Sequence, residues 1–179
     1  MSGYGQNIGM AKPNEPNARS RQLTSMFFTM LGTWQGDYTY FDEQAGTYVT
    51  GAGTLKFEQA PMENVLLLNA RTSRPSGLAV HAFSAMVVQS DGSSWRQMAF
   101  TATDGRLQDK VITGYTYEDD CNWRVEMLEV QQGLGGVQAV KVEMIIKDGA
   151  LDMRKLRHVD AEAAAERPFE SRALFIRKA

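Results

Sequence analysis

Leu31-Gly32-Thr33-Trp34-Gln35-Gly36 is the stretch that decides the reading of this chain. Before it, Leu23, Met26, Phe27, Met30 and Leu31 recur at helical spacing, which predicts one short amphipathic helix over 20–31. Gly32 ends that period. From Trp34 onward the apolar period becomes two, the mark of half-buried strands. Strands are expected at about 34–41, 47–58, 64–72, 79–89, 94–103, 107–116, 122–131, 138–147, 150–158 and 170–178.

Turn chemistry separates them. Glu43-Gln44-Ala45-Gly46, Ser90-Asp91-Gly92-Ser93, Asp104-Gly105 and Asp148-Gly149 are the clearest breaks, and Asp-Gly between alternating runs is a hairpin signal. Glu118-Asp119-Asp120 and Gly133-Leu134-Gly135-Gly136 supply two further loops. Short strands joined by tight turns pair antiparallel with their neighbours. An open sheet of that width would expose long edges, so closure is the physical solution. The expected fold is all-β: a closed antiparallel meander barrel of about ten strands with a short N-terminal helix. The stretch 160–166 reads as one or two helical turns before the last strand.

The alternation also assigns faces. Val140, Val142, Met144 and Ile146 are expected inside, as are Trp123, Val125 and Met127. Val49, Gly51, Gly53, Leu55 and Phe57 form a third inward set, with Arg124, Glu126, Lys56 and Glu58 outside. If Trp34 faces in, Tyr38 and Tyr40 follow. Strands 64–72 and 79–89 are apolar on both faces, so their parity stays open, and a homodimer stays open with it.

The chain has 179 residues, which suits one domain at 20–179 after a disordered tail at 1–19. Its net charge is −2 and its basic residues are scattered, against a nucleic-acid surface. No run is long and apolar enough for a membrane helix, and the tail lacks the apolar segment of a secretory signal. With the single Cys121, no internal disulfide is possible, and a cytoplasmic location is expected.

Gly32-Thr33-Trp34 after a short helix resembles the opening of calycin-type barrels, a group that includes lipocalins, fatty-acid-binding proteins and nitrobindin-like heme proteins. The likeness covers about 30–178 and is nearest to bacterial calycin-like barrels of unknown function. These share the Leu-Gly-Thr-Trp opening and carry a Trp strand before an Asp-Gly turn, here Trp95 and Asp104-Gly105. The resemblance implies a late Arg packed on the early Trp, here Arg172 or Arg177. The chain departs from the fatty-acid-binding pattern, because only a short loop joins its first two strands. It departs from the nitrobindin-like pattern, Gly-x-Trp-x-Gly-x-Gly, by carrying Tyr38 where the third Gly stands and by lacking a His on the final strand.

Inward aromatics and methionines point to a small hydrophobic or aromatic ligand held inside the barrel. The side chains expected to contact it are Tyr38, Tyr40, His81, Phe100 and Tyr115. Tyrosine hydroxyls and an imidazole would orient such a ligand by hydrogen bonds. The same scaffold suits an enzyme (an isomerase, cyclase or hydratase) with His81 or a Tyr as acid or base, and heme binding is a third reading. No cofactor and no metal is expected, since His81, His158 and Cys121 show no ligand spacing. Cys121 follows Asp119-Asp120, and carboxylates raise a thiol pKa. Gly133-Leu134-Gly135-Gly136 lacks the Lys and Ser/Thr of a phosphate loop. Arg71 and Arg74 flank Thr72-Ser73, where they could steer an anion at the barrel mouth.

Overall fold

A computed structural model describes residues 18–77, 79–89, 95–101, 107–133, 136–156 and 169–178. It comprises helix α1 (Ala18–Met30) and ten strands: β1 (Gly32–Asp42), β2 (Thr47–Gln59), β3 (Val65–Ser73), β4 (Ala79–Val88), β5 (Trp95–Thr101), β6 (Leu107–Asp119), β7 (Asn122–Gly133), β8 (Gly136–Lys147), β9 (Ala150–Leu156) and β10 (Ser171–Arg177). Each strand pairs with its neighbours in sequence, and β10 pairs antiparallel with β1 to close the barrel. The all-β meander expected from the turn pattern is therefore the observed fold. The helix begins at Ala18, two residues before the expected start. Residues 1–17, the 160–166 stretch, Ser90-Asp91-Gly92-Ser93 and Asp104-Gly105 lie outside the described residues.

The alternation assigned the faces of β2, β7 and β8 as the barrel has them. Leu55, Phe57, Trp123, Val125, Met127, Val142, Met144 and Ile146 are all buried in one core. In β3 and β4, Leu66, Leu68, Ser84, Met86 and Val88 are buried, with Ala70 and Ala82 in the same alternating rows. A register shift in β6 between Ile112 and Gly114 changes parity along that strand. An extra residue at such a bulge lets both ends of one strand face in. Ile112 is buried on one side of the shift, and Tyr115 and Tyr117 pack against the core on the other.

Helix α1 fills one end of the barrel. Leu23, Met26, Phe27 and Met30 are at most 2% exposed and pack with Trp34, Phe57, Phe175, Met86, Met127 and Met144. Most of the methionines and aromatics expected to line a pocket are therefore the packed core of this end.

The last carbonyls of a helix have no partner within it. Here side chains from the barrel serve them. The Trp34 indole N–H donates to the Met30 carbonyl at 2.7 Å, and Arg177 donates to the Thr29 carbonyl. The Arg177 guanidinium also lies 4.9 Å from the centre of the Trp34 ring, a cation–π distance. Of the two arginines considered, Arg177 takes this role, because it sits opposite Trp34 in the β1–β10 register. Arg172 instead bonds Asp152 on the outer wall.

That outer wall carries an ion-pair ladder. Arg124 and Lys141 bridge Glu126 and Glu143 across β7 and β8, and Arg154 and Arg172 share Asp152 across β9 and β10. No helix among the described residues is long and apolar enough to cross a membrane.

Candidate functional site

The end of the barrel away from α1 is not filled. A cavity of about 310 Å³ lies there, bounded by Tyr38 and Tyr40 of β1, Ala70 and Thr72 of β3, Val80 and Ala82 of β4, Val142 of β8 and Ala173 of β10. Lys110 of β6, Glu129 of β7, and Met153 and Lys155 of β9 complete its walls. It reaches the surface at Ser73 and Arg74, both exposed. Small side chains leave the space that Trp, Phe and Met occupy at the other end.

Strand alternation alone puts the charged groups inside. Glu129 continues the inward row Val125, Met127; Lys155 continues Leu151, Met153; Lys110 precedes Ile112 by two. Lys110 and Glu129 are directly opposite in the β6–β7 register. The Glu129 carboxylate accepts from Lys155 at 3.0 Å and faces the Lys110 ammonium at 3.4 Å. Glu129 is only 2% exposed. Burial pushes the Lys110 pKa down; Glu129 opposes this, and the Lys155 charge adds to it.

Tyr38 and Tyr40 present a stacked pair along one wall, with ring centres 5.9 Å apart and planes at 27°. Arg74 lies over the Tyr40 ring at 5.3 Å, at the mouth. Of the two arginines expected at the barrel mouth, Arg74 stands there, whereas Arg71 stands beside His81 in a depression of the outer wall, along with Lys56 and Phe83.

Of the five side chains expected to meet a ligand, the structure brings Tyr38 and Tyr40 together in the cavity. His81 does not join them. It is exposed on the outer face, because the rows through Ala82, Ser84 and Met86 take the inward positions of β4. Tyr115 lies at the filled end, where its hydroxyl bonds Gln22 of α1 at 2.8 Å and Arg19 covers its ring. The β6 register shift explains this, since it places Tyr115 toward the helix. Phe100 pairs with Phe83 and Leu107 in β5, and its side chain lies outside the described residues. Lys110, Glu129 and Lys155 were not anticipated. Extending each inward row by two residues was the available signal.

Among the described residues no group of three His, Cys, Asp or Glu side chains is placed to hold a metal ion. His158 lies outside those residues. Cys121 is exposed and free.

No family model and no curated protein matches the chain. Its fold is similar to a solved one. The crystal structure of Rv2717c from M. tuberculosis superposes with a TM-score of 0.65, covering 92% of this chain and 100% of that one at 13% identity. At that identity the likeness concerns the fold alone.

Proposed function

We propose that this barrel binds a small hydrophobic or aromatic molecule in the cavity between Tyr38, Tyr40, Val142 and Met153. The observation that carries the reading is the asymmetry of the interior. One end is packed by α1, Trp34 and the methionines, while the other holds about 310 Å³ of space. Small-molecule sites start at about that volume and combine apolar walls with a few polar groups. The stacked tyrosine pair offers a flat surface to an aromatic ring. The resemblance to calycin-type barrels, whose members bind small molecules, supports the same reading.

An enzymatic version has less support. His81, its best acid or base, stands on the outer wall. The heme version needs an interior His, and of the two histidines one faces out and the other lies outside the described residues. The exposed, free Cys121 is in keeping with a cytoplasmic location.

A fluorescence titration with a naphthalene-based lipophilic probe tests the proposal. The full chain is expected to bind it saturably at one site. Ala82→Phe fills the cavity from β4 and is expected to weaken binding by about tenfold or more without lowering the melting temperature by more than a few degrees. Absence of saturable binding to the unmodified chain would overturn the reading.

A further inference from the structure

We infer that the ligand carries a carboxylate, which the pair Lys110 and Lys155 receives at the inner wall of the cavity. This rests on the cavity being a ligand site. It adds the chemistry of the molecule's head group, which the apolar walls alone do not specify.

Charge balance is the first argument. A structural ion pair inside a barrel needs one ammonium for one carboxylate. Here, among the described residues, Glu129 faces two, Lys155 at 3.0 Å and Lys110 at 3.4 Å. Among the described residues that line the cavity, Arg74 adds a third cation, and Glu129 is the one carboxylate. The chain as a whole has a net charge of −2, so positive charge is gathered here against the overall sign. Holding unbalanced charge between Tyr38, Val142 and Met153 is costly unless a counter-charge enters. The downward push that burial gives the Lys110 pKa reflects that cost.

Geometry is the second argument. Lys110, Glu129 and Lys155 converge from β6, β7 and β9, and the groups facing them from β1, β3 and β10 are Tyr38, Tyr40, Thr72 and Ser171, none of them acidic. A ligand head would therefore meet ammonium and hydroxyl donors. With Arg74 exposed at the mouth, the charge at the inner wall is that of the Lys–Glu–Lys group, a single excess positive charge among the described residues, which a monoanionic carboxylate balances better than a dianionic phosphate. The body of the ligand would lie along Tyr38 and Tyr40, with Arg74 over the mouth. The cavity volume limits that body to one or two rings.

The test compares 2-naphthoate with its neutral counterpart of equal shape, 2-naphthamide, by titration calorimetry on the full chain at neutral pH. Naphthoate is expected to bind about tenfold tighter or more. Lys155→Met and Lys110→Met are each expected to remove most of naphthoate's advantage, bringing the ratio of naphthoate to naphthamide affinity to about twofold or less. Equal affinity of the two compounds for the unmodified chain overturns the carboxylate inference and leaves the cavity reading intact. Binding of neither overturns both. Should a methionine variant fail to fold, Lys155→Gln replaces it, and the comparison on the unmodified chain stands without any variant.

Discussion

Trp34 shows how much one residue can be asked to do. It is 1% exposed, its ring supports Arg177, and its N–H serves the helix carbonyl of Met30. Trp34→Phe keeps most of the apolar contact but leaves that buried carbonyl without the indole donor. Urea unfolding should show a loss of about 2–4 kcal/mol, from the unmet hydrogen bond together with lost packing. Arg177→Met should cost less, and a double-mutant cycle between the two should reveal coupling of about 0.5–2 kcal/mol. Additive effects would show that the stacking contributes nothing to stability. This contact was legible in the sequence up to a choice between two arginines. The choice depended on which face of β10 turns inward, and Ala173-Leu174-Phe175-Ile176 is apolar on both faces, so alternation alone did not place Arg177 in the buried row of Ala173 and Phe175. The charged cavity was legible only by counting the inward rows through Lys110, Glu129 and Lys155, because charged side chains on a strand are mostly solvated unless paired. His81 was the reverse case, since β4 is apolar on both faces and its parity is settled only by pairing with β3 and β5.

Strand closure depends on glycine at the element scale. A Cβ on Gly36 would lie 1.9 Å from the Leu174 carbonyl oxygen, on the strand that closes the barrel. Backbone cannot yield there without breaking the β1–β10 ladder. Gly36→Ala is therefore expected to destabilise by more than about 4 kcal/mol or to prevent folding, read by far-UV circular dichroism and solubility. β10 is also tied to β9 through Asp152. Burial works to raise the Asp152 pKa, but the bonds from Arg172 and Arg154 outweigh it and hold it below the ordinary carboxylate range. A carboxyl with a lowered folded-state pKa contributes stability above its unfolded value of about 3.9, and that contribution is lost as pH falls through the folded value. Asp152→Asn should reduce stability at neutral pH and flatten the acid limb of the stability curve. An unchanged acid limb in thermal melts between neutral and strongly acidic pH would show that the ladder is energetically idle.

Across the whole molecule, the two ends of the barrel divide the work. The α1 end holds the packed core, and the far end holds the charged cavity. Met26→Ala, at 0% exposure, should cost about 2–5 kcal/mol in denaturant unfolding while leaving naphthamide affinity in the folded chain within about twofold. A parallel loss of affinity would show that the ends are coupled. The sequence was most informative at this scale, because strand and turn follow one another along the whole chain and each constrains the next. The packing of α1 into the barrel also has a kinetic meaning. The Arg177 contact with the helix spans 148 residues of chain, and β1 finds its second partner only in β10. The meander from β1 to β9 can form locally as it is synthesised, but the ring shuts and the helix is latched only once the last strand exists. Until then β1 presents a free edge, the condition that favours pairing between chains. Slow translation ahead of β10 would thus lengthen the period of aggregation risk, even though the finished barrel has no edge to offer.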